Sequence, residues 1–248
     1  MTEFSYQLYS SRKFGPLNRT ISMLADAGYK QVEGFGGIYD DPEALRGQLD
    51  QASLTMPTGH FDLKMIEDAP KKAIEIAKIL GIKALFVPYL AAVDRPETAD
   101  GWLAFGRRLE EAGKPINDAG LNFGWHNHDF ELKRLAGNAL PLDLILEGGK
   151  ELVLELDLAW VSVAGHRPSD LVRKYSDRLI AVHLKDIAKT GDCFDEDGWE
   201  DVGHGTIEWE DTIQSVRETD CQFLVMEHDN PNDDARFARR SIASAKTF

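Results

Sequence analysis

Short apolar segments alternate with helical patterns along the whole chain. The apolar segments have the length of ordinary strands, and glycine, proline or polar residues bound them, as is typical of strands buried in a parallel sheet. They lie near 4–9, 30–34, 54–59, 84–88, 121–126, 152–157, 179–184 and 222–227. The pattern therefore predicts eight strands.

Each predicted strand is followed by a segment with apolar residues at helical spacing. Proline near the start of a segment, as at Pro42, and glycine after its end, as at Gly28, match the usual asymmetry of helix termini. The segments are 17–27, 42–52, 70–80, 97–119, 139–148, 168–176, 208–219 and 232–245. The chain is thus a series of strand–helix units.

These units occupy 248 residues with no proline-rich or low-complexity linker. They predict the α/β class and a (β/α)8 barrel, or TIM barrel, as a single domain over residues 1–248. An open doubly wound sheet is the alternative. It would have fewer units and a glycine-rich first turn, whereas "GFGG" at 34–37 lacks the required spacing.

Polar residues concentrate where the predicted strands end, which is where (β/α)8 barrels carry their functional groups. Five of the seven histidines lie there, and His204 lies in the loop after the seventh strand. The strand-end residues are Glu33, His60, Asp62, His126, His128, Asp157, Trp160, His183, Lys185, Asp186, Glu227, His228 and Asp229. We therefore expect a functional site at one mouth of the barrel.

Four of these residues come from consecutive strands, the fifth to the eighth. They are His126, Asp157, His183 and Glu227. Any one alone is better explained as an ordinary polar residue, but together they predict a site for a divalent metal. Mixed nitrogen and oxygen ligands suit Mn²⁺, which we expect, or Zn²⁺, Co²⁺, Fe²⁺ or Mg²⁺, better than Ca²⁺.

Other strand-end residues are candidates for contact with a substrate. We expect Lys185 to act on a substrate oxygen, and the predicted substrate-binding residues are Glu33, His60, His128, Trp160 and His204. Each has a structural alternative: a solvated lysine, a core tryptophan, or a buried polar group with hydrogen bonds. Glu155 is expected one layer deeper, as a support for a ligand or as an ion-pair partner. The acidic, glycine-rich segment 189–205 is either a lid or wall of the site or a mobile surface loop.

Charge and composition restrict the partners. A formal net charge of −14 without a basic tract argues against nucleic acid. The apolar run at 84–93 is well below the roughly 18 residues that span a bilayer, so no membrane partner is expected. The N-terminal residues show no secretion signal, and Cys193 and Cys221 form no metal motif. We expect a cytoplasmic protein that binds a small molecule, with homo-oligomer and heteromeric assembly both open.

Five motifs resemble the sugar (phosphate) isomerase/epimerase superfamily with the xylose-isomerase-like barrel. They are "GWHNHDFE" at 124–131, "ELDLAWVSVAG" at 155–165, "HLKD" at 183–186, "VGHGTIEW" at 202–209 and "MEHD" at 226–229. The resemblance implies a metal-dependent enzyme with strand-end ligands at His126, Asp157, His183 and Glu227. It does not indicate which sugar is bound or whether the sugar is phosphorylated.

One residue departs from the family pattern. The epimerases of this superfamily usually carry a glutamate on the fifth strand, paired across the substrate with the one on the eighth. His126 stands at that position here. The expected chemistry is therefore proton abstraction by Glu227 next to a carbonyl, through an enediolate, with one carboxylate base rather than two.

Three other functions remain open from the sequence. A dehydratase or lyase would use the same proton abstraction and then eliminate a β-substituent from a keto-inositol or a 3-keto-glycoside. A non-catalytic sugar-binding or partner subunit could share the barrel. A barrel nuclease would require further metal ligands and a basic groove, and the net charge of −14 disfavours it.

Overall fold

A computed structural model describes residues 3–248 and shows a barrel of eight parallel strands. The strands, numbered one to eight in chain order, are Phe4–Tyr6, Gln31–Gly34, Thr55–His60, Ala84–Val87, Asn122–His126, Val153–Asp157, Leu179–Leu184 and Phe223–Met226. They pair in the order one, eight, seven, six, five, four, three, two. A bridge between Gln7 and Glu33 joins the first strand to the second. The predicted single-domain (β/α)8 barrel is confirmed.

Each of the predicted helical segments contains an α-helix. The α-helices are Leu17–Ala27, Pro42–Gln51, Leu63–Asp68, Pro70–Leu80, Ala99–Asp118, Pro141–Gly148, Leu158–Val163, Pro168–Lys174, Trp209–Arg217 and Asp234–Ala245. The helices Leu63–Asp68 and Leu158–Val163 were not predicted, because six residues are too few to show a helical period. Within residues 3–248, no helix combines the length and the apolar character needed to cross a membrane.

The first strand is shorter than predicted. It ends at Tyr6 and is followed by the 3₁₀ helix Leu8–Ser11 instead of continuing to residue 9. The Gln7 side chain accepts a hydrogen bond from the Tyr9 backbone N–H at 3.0 Å, which turns the chain at this point. The turn directs Tyr9 to the rim of the mouth.

The barrel interior is apolar at one end and polar at the other. Alternate residues of strands four, seven and eight form a small buried apolar cluster of Ala84, Phe86, Ala181, Phe223 and Val225. The next inward positions towards the strand ends are His183 and Glu227, both buried. The apolar layer therefore closes the barrel from below and leaves the C-terminal mouth for polar groups.

Close packing of two helices makes Gly106 a test of the fold. A Cβ added at Gly106 would lie 2.2 Å from the carbonyl oxygen of Ile145 in the helix Pro141–Gly148. We expect Gly106→Ala to lower the free energy of unfolding by about 2 kcal/mol, because overpacking costs more than the ~1 kcal/mol that alanine contributes in a helix. Urea denaturation of the variant and the parent protein measures this difference.

Gly47 provides the matched control. It also lies inside a helix, Pro42–Gln51, but nothing lies within 4 Å of its added Cβ. Gly47→Ala should therefore raise the free energy of unfolding by up to ~1 kcal/mol. Equal stabilisation by both substitutions would contradict the close contact between the two helices.

Candidate active site

The four predicted metal ligands meet at the mouth of the barrel. Each offers one nitrogen or carboxylate oxygen, and these atoms all lie within 4.8 Å of one another. The residues are His126, Asp157, His183 and Glu227 at the ends of strands five to eight, and all four are buried. The spacing and the donor types could hold a divalent cation.

In this cluster, one carboxylate oxygen of Asp157 has no hydrogen-bond partner. Its Oδ1 accepts the backbone N–H of Trp160 at 2.8 Å and so caps the helix Leu158–Val163, while Oδ2 is buried without a hydrogen-bond partner. Burial raises the pKa of the carboxyl to about 7, although nearby Lys185 acts in the opposite direction. Lys185 Nζ lies 3.6 Å from Oδ2, too far for a hydrogen bond. A buried carboxylate oxygen without a hydrogen bond is costly, and a bound cation would satisfy it. The residues present therefore fit a metal.

His183 lies between two layers of carboxylates. Its Nδ1 lies 3.0 Å from Glu227 Oε2, and its Nε2 lies 2.7 Å from Glu33 Oε1. Burial alone would lower the pKa of this imidazole, but the carboxylates of Glu155, Glu227 and Glu33 raise it well above its usual value. Glu33 thus fixes the orientation of the ring from below, as carboxylates behind metal-binding histidines do.

His126 is held in a form suited to ligation. Burial, together with the neighbouring His183, lowers its pKa to about 4, so the imidazole is neutral at pH 7. Its Nδ1 lies 3.1 Å from Glu155 Oε2. An Nδ1–H that donates to this carboxylate leaves Nε2 unprotonated and able to bind a metal.

Glu155 is the centre of the deeper layer. Three imidazole nitrogens surround its Oε2: His60 Nε2 at 2.6 Å, His126 Nδ1 at 3.1 Å and His183 Nε2 at 3.3 Å. Burial alone would raise the pKa of Glu155, but His183 and His60 hold it well below its usual value. These four residues form a second group with metal-ligand spacing. Because the three nitrogens already contact Glu155, the deeper layer supports the upper one.

Lys185 is enclosed by carboxylates rather than exposed to the mouth. Its Nζ lies 2.6 Å from Asp229 Oδ2, 3.4 Å from Glu227 Oε2 and 3.6 Å from Asp157 Oδ2. Burial alone would lower its pKa, but Asp229, Glu227 and Asp157 together raise it. The lysine is fully buried, whereas Asp229 lines the cavity. Asp229 is therefore placed to contact a substrate, and its position two residues after Glu227 was the signal for it in the sequence.

A cavity of about 900 Å³ opens above this cluster. Its inner end is lined by His60, His126, His128, Glu227 and Asp229. From there it extends over the loops after strands three and four, where Phe61, Tyr89 and Leu90 lie. Two of the four candidate ligands, His126 and Glu227, thus border a ligand-sized space.

Two predicted substrate-binding residues, Glu33 and Trp160, are not among the residues that line the cavity. Glu33 is fully buried and accepts a hydrogen bond from Gln7 Nε2 at 2.7 Å, which is the buried, hydrogen-bonded alternative considered above. Trp160 packs edge-on against Trp199, and both indoles lie beside Lys185 Nζ, at 4.9 and 4.2 Å from the ring centroids. Their contacts support residues of the site instead of reaching the cavity.

Asp186 organises the segment that follows strand seven. Its buried carboxylate accepts the backbone N–H groups of Gly203, Gly205, Thr206 and Ile207 and the indole N–H of Trp209. A Cβ at Gly205 would lie 2.3 Å from Asp186 Oδ1, so only glycine fits there. The motif at 202–209 therefore forms a pocket for this carboxylate.

The acidic segment 189–205 is attached to the last helix. Arg236 forms a bidentate pair with Glu196, with both N–O distances 2.8 Å, and its Nε donates to Asp201 at 3.1 Å.

His204 does not face the cavity, contrary to the prediction from the sequence. His204 is exposed and hydrogen-bonds Ser244 at 3.1 Å on the last helix, because the backbone around it is turned towards Asp186.

Comparison with known proteins bears on the family and the fold of the chain. A family model described as xylose isomerase-like TIM barrel matches residues 21–247. The rhizopine catabolism protein MocC of Rhizobium meliloti is 25% identical over 199 residues, which are 69% of this chain. The chain spans only 58% of the length of that curated relative.

Solved structures share the whole barrel. A sugar phosphate isomerase/epimerase from Parabacteroides distasonis superposes with a TM-score of 0.82 at 21% identity, over 98% of this chain and 92% of that one. The probable 3-DHS dehydratase AsbF from Bacillus anthracis has a TM-score of 0.78 at 14% identity, over 99% of each chain. At these identities the similarity establishes the fold.

Proposed function

The chain belongs to the xylose isomerase-like TIM barrel family, and from this premise we propose that it is a divalent-metal-dependent sugar isomerase or epimerase. One observation carries the proposal. Four candidate ligands from consecutive strands converge within 4.8 Å, and one of them has a buried oxygen with no hydrogen-bond partner. The substrate is a keto- or hydroxy-sugar, a small molecule that fits the cavity above the cluster.

The residues that would hold the metal are His126, Asp157, His183 and Glu227. Two nitrogens and two carboxylates favour Mn²⁺, with Zn²⁺, Co²⁺, Fe²⁺ or Mg²⁺ as alternatives. A divalent cation bound there would polarise the substrate carbonyl and offset the negative charge that develops on its oxygen. The protein residues supply the proton transfers.

Glu227 is the proposed base. It lines the cavity, and its pKa is well below the usual range because Lys185 and His183 outweigh the effect of burial. The carboxylate is therefore ionised at neutral pH and able to accept the proton from the carbon next to the carbonyl. Lys185, 3.4 Å from Glu227 Oε2, maintains this ionised state.

Asp229 is the proposed route for the returning proton on the cavity side. Its carboxylate accepts a hydrogen bond from Lys185 Nζ at 2.6 Å, and burial raises its pKa, so it can take a proton from the buried ammonium and pass it to the substrate. His128 also lines the cavity, but burial, together with His126 and Lys185, holds the pKa of its imidazole well below the usual value, so it is neutral and is no proton donor. A proton returned to a different carbon completes an isomerisation, and one returned to the opposite face completes an epimerisation.

A β-elimination is the second candidate, and His126 favours it. With an imidazole on strand five, whose Nδ1 lies 3.1 Å from Glu155, the cavity has no strand-five carboxylate to pair with Glu227 in two-base epimerisation. Glu227 would again remove the proton, the electron pair of the C–H bond would form a C=C bond, and the β-substituent would leave with a proton passed from Lys185 through Asp229. A keto-inositol or a 3-keto-glycoside would meet these requirements.

Metal-loaded protein incubated with keto-sugars in D₂O tests the proposal. We expect one transition metal per chain and deuterium incorporation next to the carbonyl, detected by NMR. The product spectrum separates isomerisation or epimerisation from elimination. Absence of metal uptake together with absence of exchange would overturn the proposal and leave a non-catalytic sugar-binding or partner subunit as the function of the barrel.

A further inference from the structure

We infer that the cavity accepts a glycoside, with one sugar ring at the metal-ligand cluster and an uncharged second ring or aglycone against an aromatic rim, in preference to a sugar phosphate. This inference rests on the proposed function for the inner end of the cavity. It adds the substrate class, which neither the fold nor the cluster specifies.

The cavity is large for one sugar ring. Its volume of about 900 Å³ is near the upper end of the roughly 300–1,000 Å³ of pockets that hold drug-sized ligands. A ring at Glu227 and His126 would occupy only the inner end. The remaining space extends past Phe61 to Glu67 and Arg108. A substrate that fills it must continue beyond the reacting ring.

Aromatic side chains line the outer part of the cavity. We define the aromatic rim as Tyr9, Phe35 and Tyr89. Tyr9 and Phe35 pack edge to face at 5.4 Å, and Tyr89 packs edge to face on His128 at the same distance. Tyr89 is 51% exposed and lines the cavity, so much of its ring is available to a ligand there. Aromatic faces of this kind pack against the C–H face of a sugar or against an aryl group.

The charges in the cavity wall do not suit a phosphate. The cationic side chains in the wall are Lys64 and Arg108, and each is already paired. Lys64 pairs with Asp68, and Arg108 forms a bidentate pair with Glu67 at 2.6 and 2.8 Å. The acidic residues in the same wall are Asp62, Glu67, Asp94, Glu227 and Asp229. Arg12 and Arg95 lie beside the rim, at 3.8 and 5.3 Å from the ring centroids of Tyr9 and Tyr89, but they are not among the residues that line the cavity. Five carboxylates against two paired cations in the wall oppose the negative charge of a phosphate, so the wall favours an uncharged group.

Calorimetric binding to metal-loaded protein tests the inference with four probes: glucose, glucose 6-phosphate, cellobiose and p-nitrophenyl β-D-glucoside. We expect both glycosides to bind about tenfold more tightly than glucose, because the second ring adds aromatic contacts. Glucose 6-phosphate should bind no more tightly than glucose. The comparison requires no turnover.

The substitution Tyr89→Ala tests whether the aromatic rim causes the tighter binding of the glycosides. The substitution should weaken the binding of both glycosides by about tenfold and leave glucose binding unchanged. The matched control is Phe194→Ala, since Phe194 is an exposed aromatic residue, 81% accessible, outside the residues that line the cavity. The control should alter neither affinity.

Several outcomes would overturn the inference. They are tighter binding of glucose 6-phosphate than of the glycosides, equal loss of glucose and glycoside binding in Tyr89→Ala, and failure of the glycosides to bind. Metal content and deuterium exchange are measured separately. A protein that takes up metal and exchanges protons but prefers the phosphate would therefore refute the glycoside inference and leave the proposed function standing.

Discussion

Glu227→Gln is expected to reduce the rate of deuterium exchange into the substrate by about a thousandfold, within the range that a general base contributes. Glutamine keeps the shape of the side chain and an oxygen near His183 Nδ1, which lies 3.0 Å from the native carboxylate. It cannot accept the substrate proton. Sugar binding in the cavity should therefore change little while exchange is lost. NMR in D₂O measures the rate, and calorimetry measures the affinity.

Glu67→Gln is the matched control for this change. Glu67 lines the same cavity but lies at its outer end, paired with Arg108. The control should exchange deuterium at the parent rate. Metal content is measured in both variants, because Glu227 is also a proposed ligand. Near-parental exchange in a metal-loaded Glu227→Gln protein would refute the assignment of the base.

Asp157→Asn is expected to weaken metal binding by at least about a hundredfold, above the tenfold to hundredfold typical for residues behind the ligands. The amide oxygen can still accept the Trp160 N–H that Asp157 accepts at 2.8 Å, so the helix cap is retained. What is lost is the negative charge at Oδ2, which has no hydrogen-bond partner. Titration with Mn²⁺ or Zn²⁺ followed by mass spectrometry measures the change.

Asp157→Ala removes both the charge and the cap, and Asp41→Ala separates the two effects. Asp41 caps the helix Pro42–Gln51 by accepting the Ala44 N–H at 2.9 Å, far from the cluster in the chain. Asp41→Ala should cost about 1 kcal/mol of stability and leave metal binding unchanged. Parental metal affinity in Asp157→Asn would exclude Asp157 as a ligand.

The strand-end histidines show which features of the site can be predicted from the residue pattern. His126 and His183 follow apolar strands whose period places them in the barrel interior, so their meeting could be predicted once eight strand–helix units were counted. This prediction succeeds because a closed parallel barrel brings every strand end to one mouth.

The contacts that attach the acidic segment 189–205 could not be predicted from the residue pattern. Arg236 binds Glu196 and Asp201 across about forty positions of the chain, and this pairing attaches the acidic segment to the last helix. The spacing of apolar residues within one strand or helix does not indicate a pairing between such distant residues. His204 was therefore assigned to the mouth, although it contacts Ser244 on the last helix.

The residue pattern alone was sufficient for the fold, the polar mouth and the four candidate ligands, because all of them follow from periodicity and strand order. Three-dimensional packing was required to show that Glu33 and Glu155 lie beneath the histidines and that Lys185 is enclosed by carboxylates. It was also required to show which side chains face the cavity. Those features depend on distances between side chains from separate strands, and the order of residues along one strand does not encode such distances.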